Sequence, residues 1–275
     1  MKRFGVIYHP HNEGAVKQAE YVKEYLTKKG CSCWTQSAWE STEFEPKVKE
    51  SDIVITAGGD GTVLRAAQIT ANYNVPIAGI NHGTLGFLTE IPQSKVDEAL
   101  ERILDGDYRL DERCILDVDV KQPDEELQSF HALNDVVIAR GEMARLLGLN
   151  VVVNGQKLTY LKSDGIVCST PTGSTGYTYA CGGSVMHPSS KNLQIVGIAP
   201  HLTFNHPVVL SADSIIEIEI FSGYTCTMNI DGHINLPIVD RTKFNVRMSD
   251  LKVRFIRFGE DNFFETLTTK LRTRL

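Results

Sequence analysis

A single acidic side chain stands among three glycines in Thr56-Ala57-Gly58-Gly59-Asp60-Gly61-Thr62. The apolar run "SDIVI" leads into this stretch and "VLRAAQITA" leads out of it. Glycine lets a backbone adopt unusual dihedrals and come close to a ligand. Bare N–H groups at the start of a helix make a site for phosphate. A carboxylate beside a bound phosphate has two chemical uses: it holds a metal that bridges phosphates, or it takes the proton of an attacking hydroxyl. The structural alternative is a tight turn in which Asp60 caps the helix. The G-x-G-x-x-G of a dinucleotide fingerprint is missing here. Pattern alone leaves phosphate chemistry and the plain turn both open.

Elements must hold this stretch in place, and the first hundred residues alternate strand and helix patterns. "FGVIY" (4–8) reads as a strand. From Glu13 to Lys29 the positions Ala15, Val16, Ala19, Val22 and Leu26 follow one helical face, closed by Gly30. "CSCWT" is a second strand candidate, and "DIVITA" (52–57) is a continuous apolar run, as in a parallel sheet covered on both faces. A helix from about 62 to 71, the strand "PIAGIN" (76–81) and a helix near 94–104 follow. This order predicts an α/β N-terminal domain, residues 1–105, with an open parallel sheet. From 106 to 258 the texture becomes alternating: Leu116, Val118 and Val120 oppose Asp117 and Asp119, and isoleucines oppose Glu217 and Glu219. Asn154-Gly155 and Asp231-Gly232 read as two-residue hairpin turns. The second domain is therefore expected to be mostly antiparallel β, with one short helix after Pro171. The tail, 259–275, is a helix candidate expected to return to the first domain through Phe263, Phe264 and Leu267.

The chain has 275 residues, 42% of them hydrophobic and 23% charged, which suits two globular domains. A net charge of −6 without a block of like charges argues against a general nucleic-acid binder. The six cysteines, at 31, 33, 114, 168, 181 and 226, lack metal or redox spacing and read as free thiols of a reducing compartment. "MKRFGVIYHP" is too short in its apolar run for a signal peptide, and no run of about 18 apolar residues occurs. A soluble, cytoplasmic protein is expected.

"GGDGT" after an apolar strand is shared by NAD kinases, phosphofructokinases and lipid kinases of the diacylglycerol and sphingosine type. The segment "INHGTLGFLTEI" (80–91) resembles the N-x-G-x-L-G-F segment of NAD kinases, where lipid kinases carry G-T-x-N-D. "ALNDVVIARG" (132–141) is similar to that family's N-E/D motif, and "LKSDGIVCSTPTGSTGYTYACGGSVMHP" (161–188) to its glycine- and threonine-rich motif. "IAPH" (198–201) and "NIDGH" (229–233) follow in order. The chain thus resembles the NAD kinase family over most of its length.

The resemblance implies a phosphofructokinase-like first domain and transfer of the γ-phosphoryl group of ATP to the 2′-hydroxyl of the adenosine ribose of NAD. It makes Asp60 the proton acceptor, brings Gly61 against the substrate, and gives Arg65 an anion contact and Phe87 a place near adenine. Asn134 and Asp135 match the pair that holds ribose and adenine, although many relatives carry Glu at the second position. Arg145, Lys162 and Asp164 fall on positions that line the nicotinamide end or a neighbouring subunit; alone they read as surface charges. Thr175, Gly176, Tyr177, Thr178, Tyr179 and Ala180 correspond to the nucleotide-binding run, and Ala199 to a backbone contact. By residue type alone, Thr172, Ser174 and Thr175 are helix caps and Asp231 is a turn residue. The family uses a divalent metal, Mg²⁺ here, carried in with ATP, since no all-protein cage is visible. A homodimer or homotetramer built through the β domain is implied as well. A lipid kinase and a non-catalytic dinucleotide sensor are the alternatives; the absent G-T-x-N-D speaks against the first and Asp60 against the second.

Overall fold

The structure, a computed structural model, describes residues 1–83, 86–142, 145–201, 206–260 and 263–272. The chain divides into two compact units, Met1–Arg113 with Leu251–Leu275, and Cys114–Asp250.

The first unit runs β1 (Arg3–Tyr8), α1 (Glu13–Lys28), β2 (Ser32–Ser37), α2 (Ser41–Lys49), β3 (Ile53–Gly58), α3 (Asp60–Tyr73), β4 (Ile77–Asn81), β5 (Ile91–Pro92) and α4 (Val96–Asp105). The order β2-β1-β3-β4 is parallel throughout, with β5 parallel beside β4. All six residues of β3 are buried, as its unbroken apolar run requires. Asn12 starts α1 by accepting the Ala15 N–H at 3.1 Å, and Ala15, Ala19, Val22 and Leu26 pack inward. The periodicity gave no sign of α2, a nine-residue helix with Pro46 inside it and no side-chain cap. Proline there removes a donor, so its sequence advertises a break.

The second unit contains β6 (Arg109–Lys121, from Cys114 on), β7 (Gln128–Ala132), β8 (Asp135–Ala139), β9 (Leu147–Val153), β10 (Gln156–Ser163), β11 (Gly165–Ser169), the four-residue helix α5 (Tyr177–Ala180), β12 (Asn192–Ile198), β13 (Val208–Ser211), β14 (Ile215–Phe221), β15 (Cys226–Ile230), β16 (Ile234–Ile238) and the start of β17 (Lys243–Arg257). One antiparallel sheet has the order β13-β12-β11-β8-β15-β16, and a second set includes β10-β9-β14-β17. A single core takes Val136 and Ile138 from the first and Leu149, Val151 and Ile218 from the second. The short helix after Pro171 is two pieces, a 3₁₀ turn at Gly173–Thr175 and then α5.

The division falls inside β6 and β17, because both strands pass from one unit to the other. The hairpin turn at Asn154-Gly155 has φ of 51° and 74°, the left-handed pair that a two-residue loop needs. Asp231-Gly232 has the same signs, 50° and 73°, but His233 joins as a third loop residue between paired Ile230 and Ile234. The tail helix α6 (Phe263–Arg272) buries Phe263 and leaves Phe264 69% exposed, which corrects the single apolar face read from the sequence. Adjacent helical residues point about 100° apart, so one face could not hold both. No helix among the described residues is long and apolar enough to cross a membrane.

Candidate active site

In the first unit, the glycine-rich stretch lies where β3 ends. Gly59 takes the cap position of α3, so Asp60 is the first helical residue and does not occupy the cap itself. Its carboxylate grips another loop. Phe87 N–H donates to Oδ2 at 2.8 Å, and Leu88 and Thr89 N–H donate to Oδ1 at 3.1 and 3.4 Å. A β-carbon on Gly86 would stand 2.0 Å from Asp60 Oδ1, so only glycine lets that loop come so close. Beside this clamp, an added β-carbon on Gly59 or Gly61 would meet nothing within 4 Å. The backbone there faces open space, and nothing in the packing demands glycine. Close approach of a ligand does.

Arg65 follows on α3, with its guanidinium carbon 4.4 Å from the Trp39 ring centroid. Burial holds that guanidinium below its usual range. The Phe87 ring stands 6.5 Å from Phe263, so the aromatic expected near adenine is packed at least partly against α6. Within the segment 80–91, Thr84 and Leu85 lie outside the described residues.

In the second unit, a second aspartate repeats the clamp. Asp231 accepts N–H bonds from Leu133 at 2.9 Å, Asn134 at 2.7 Å and Asp135 at 3.2 Å. Asp135 is 5% exposed, and burial, then the neighbouring Asp231 charge, pushes its carboxyl up to about 7. Gly173 presses on Asn134, where a β-carbon would lie 2.1 Å from the Asn134 carbonyl oxygen. A β-carbon on Gly176 would rest 3.8 Å from Asn134 Nδ2 and 3.9 Å from Asp135 Oδ2. The fold therefore gathers Asn134, Asp135 and Gly176 at one edge of the sheet, with Tyr177 next to them and 49% exposed.

The hydroxyls of the threonine-rich run do not act as the caps their types suggest. Ser174 donates to the Pro171 carbonyl at 2.6 Å and accepts the Met186 N–H at 2.9 Å. Thr175 donates to the Thr172 carbonyl at 3.4 Å, and neither short helix has a side-chain cap. Thr178 is buried, whereas Tyr179 and Ala180 are exposed.

The remaining candidates collect at the opposite end of β8 and β11. Asp164 pairs with Arg140 Nε at 2.8 Å, so it is not a loose surface charge. Exposed Lys162 receives the His201 N–H on its carbonyl at 2.8 Å, next to the Pro200 that follows Ala199. Ala199 has φ of 44°, a left-handed backbone that a non-glycine residue adopts at some expense. Arg145 is exposed and accepts the Tyr224 hydroxyl on its carbonyl. Five strand residues separate the two groups, roughly 13 Å along the sheet.

Nine buried side-chain polar atoms lack a hydrogen-bond partner among the described residues. Eight belong to these same segments: Thr56, Thr62, Asn81, His82 and Thr89 in the first unit, and Ser169, Thr172 and Thr178 in the second. Buried polar groups are almost always satisfied, so such concentrations mark where a ligand supplies the missing partners. Sequence reasoning passed over Asp231 as a turn residue and never weighed Trp39, His9 or His11. A grip on backbone amides leaves no trace in composition; only the Asp-Gly pair hinted at Asp231.

Residues 10–108 match the model of the ATP-NAD kinase N-terminal domain, and residues 133–258 that of the ATP-NAD kinase C-terminal domain. A NAD kinase of Dehalococcoides mccartyi is 37% identical over 273 residues, covering 98% of this chain and 96% of the relative. A NAD kinase of Geotalea daltonii is 34% identical over 280 residues, 99% of each. Among solved structures, yeast NADH kinase complexed with NADH shares the fold at a TM-score of 0.83 and 21% identity, over 98% of this chain and 87% of that one. An NAD kinase from Archaeoglobus fulgidus in complex with ATP does so at 0.76 and 24%, over 98% of each chain. Matched in both domains and along nearly its whole length, the chain belongs to the ATP-NAD kinase family and has that family's NAD kinase activity.

Proposed function

We propose that the protein transfers the γ-phosphoryl group of ATP to the 2′-hydroxyl of the adenosine ribose of NAD, with Asp60 as proton acceptor. The observation that carries this reading is the Asp60 clamp. Three consecutive amides fix the carboxylate beside backbone that is open at Gly59 and Gly61. In the step itself, the ribose 2′-oxygen bonds to the γ-phosphorus, the bond from that phosphorus to the β–γ bridging oxygen breaks, ADP leaves, and the hydroxyl proton passes to Asp60. Such transfer has a loose transition state, so positioning and charge neutralisation supply most of the acceleration. Gly61 and Arg65 serve the phosphates, and Phe87 borders the base.

The adenosine half of NAD is assigned to Asn134, Asp135 and Thr175–Ala180, with Tyr177 as the aromatic. The nicotinamide half is assigned to Lys162, Asp164 and the strained backbone of Ala199, with Arg145 nearby. The spacing along β11 between the two groups supports a ligand with two ends. In this reading the α/β unit (1–105 with 259–275) serves the triphosphate and the β unit (106–258) the dinucleotide.

A divalent metal, Mg²⁺, would neutralise charge on the phosphates. No group of three metal-ligating side chains occurs among the described residues, and both Asp60 oxygens already accept amide bonds. The donor set therefore fits an ion carried by the triphosphate, not one caged by protein. The free cysteines agree with a cytoplasmic setting. A homodimer or homotetramer through the β unit follows from family resemblance and is checked by sedimentation.

The test is direct. The protein is incubated with ATP, Mg²⁺ and NAD, and an NADP-specific dehydrogenase then reads the product. NADP should form from NAD, and an NAD analogue without the 2′-hydroxyl should bind but accept no phosphate. Phosphate on any other hydroxyl would remove the assignment.

A further inference from the structure

The carboxyl edge of the first unit's sheet gathers side chains that proton transfer to Asp60 does not use. The order β2-β1-β3-β4 places a switch point between β1 and β3, because the chain leaves β1 to one side and returns on the other. Open α/β sheets bind ligands in the crevice outside the strand ends at such a point. His9 and His11 follow β1, Trp39 follows β2, and Gly59 to Gly61 follow β3. The His9 amide donates to the Ala57 carbonyl at 3.0 Å, which ties the first and third of these loops together at their base.

Trp39 is the hub of the cluster. Its ring centroid lies 4.6 Å from that of His9 and 5.9 Å from that of His11, and the Arg65 guanidinium stands over it at 4.4 Å. The indole is 44% exposed, so core packing does not account for it. Among the described residues, no carboxylate pairs with Arg65, His9 or His11. The nearby Glu40 is held by Gln36 Nε2 at 2.6 Å, and Asp60 is engaged by the amides of Phe87 to Thr89. A half-buried arginine without an anion is incomplete. The α1, α2 and α3 helices all begin at this edge, and the partial positive charge of each N-terminus adds to the same field. Because Arg65 already lies over the ring, the indole supports a cation and does not present that face for stacking on a base.

We propose that this cluster is a shelf for the polyphosphate tail of the phosphoryl donor. Trp39 holds Arg65, flanked by His9 and His11, against the tail's phosphates, while the transferring end lies over the open backbone of Gly59 and Gly61. The inference rests on the NAD kinase reading above and adds what the donor is recognised by: its phosphate chain, whether nucleoside triphosphate or inorganic polyphosphate. Trp39 acts here as a positioning residue through Arg65.

The experiment uses the full chain in two independent readouts. Initial rates are measured with ATP varied at saturating NAD, and with NAD varied at saturating ATP. Arg65→Met should raise the KM for ATP about 10- to 100-fold, as loss of a charge-assisted contact does, with the KM for NAD within about twofold. Trp39→Ala should raise the KM for ATP about 3- to 10-fold, and Trp39→Phe should recover most of that loss, since a ring still faces the guanidinium. Separately, intrinsic fluorescence is titrated without NAD, using inorganic tripolyphosphate, a non-hydrolysable ATP analogue and adenosine. The first two should quench the parent protein but not Trp39→Phe, which leaves Trp34 alone, and adenosine should do nothing. NADP formed with polyphosphate as sole donor extends the shelf to inorganic chains; NADP formed from ATP alone assigns it to the nucleotide tail. An active parent whose Arg65→Met variant keeps its KM for ATP would overturn the proposal, as would a rise confined to NAD, or quenching by adenosine and not by tripolyphosphate. An inactive parent would reject the function reading instead, and the titration would still judge the shelf.

Discussion

Asp60 and Asp231 are the same local device placed in two different surroundings. Each carboxylate belongs to an Asp-Gly pair at the end of a strand and accepts three successive backbone N–H groups from a distant segment: 87–89 in one unit, 133–135 in the other. Asp60 is half-buried beside backbone that faces open space, whereas Asp231 is 5% exposed and sits against a second buried carboxyl, Asp135. The comparison teaches that gripping a loop and doing chemistry are separable. Access decides which carboxylate is also reactive, and the amide bonds decide that both are rigid.

The sharpest way to break this contrast is Asp60→Asn. The amide cannot take the proton, so turnover should fall on the order of 10²- to 10⁴-fold, about 3–5.5 kcal/mol, while the KM for NAD moves far less. The substitution is not silent in structure, because both oxygens accept amide bonds and an NH₂ group would face one of those donors. A melting loss of a few degrees should accompany the loss of rate. Turnover within threefold of the parent would show that the carboxylate is not the base.

Next comes pH, where Asp135 has no counterpart in the first unit. Its folded value of about 7 lies above the ordinary aspartate value of about 3.9. The folded state therefore holds an extra proton between those values. The stability linked to it is fully present below about pH 4 and is lost as pH rises through 7. Denaturant titrations should show parent stability falling over that window relative to Asp135→Asn, by roughly 4 kcal/mol as an upper bound. Parallel curves for the two proteins would mean that Asp135 is ionised as readily folded as unfolded.

Asp231→Ala tests the scaffold half of the comparison. It leaves the 133–135 amides without their acceptor, a loss of about 3 kcal/mol, and should lower the melting midpoint by roughly 6–12 °C. Affinity for NAD should fall with it, because the turn carries Asn134. A normal midpoint with lost turnover would make Asp231 a reacting group and erase the distinction drawn here. The smallest effect is expected from Gly176→Ala. A new methyl would lie 3.3 Å from the Gly173 carbonyl and in ordinary contact with Asn134 and Asp135, so stability should change by less than about 1 kcal/mol. A larger drop in NAD affinity than in stability would place the ligand directly over that glycine.

Much of this molecule was written in its sequence. The buried run of β3, the inward face of α1 and the left-handed Asn154-Gly155 turn follow from side-chain period and backbone sterics, which act within a few residues. So does the glycine-rich stretch around Asp60, since its open backbone needs only the absence of side chains. The alternation of Ile216, Ile218 and Ile220 against Glu217 and Glu219 likewise fixed which face of β14 is buried. Tertiary structure alone decided the rest. The Asp231 carboxylate reaches amides 96 to 98 positions away, and Asp60 reaches 27 to 29. Backbone amides are identical in every residue except proline, so no residue type announces them as partners. Trp39 and Arg65 meet only because β2 and α3 end up on the same side of the sheet edge, and the α2 helix forms despite its Pro46. Local sequence sets what each segment prefers. Which distant amide or ring stands opposite a given side chain is set by strand order, and strand order is a property of the whole chain.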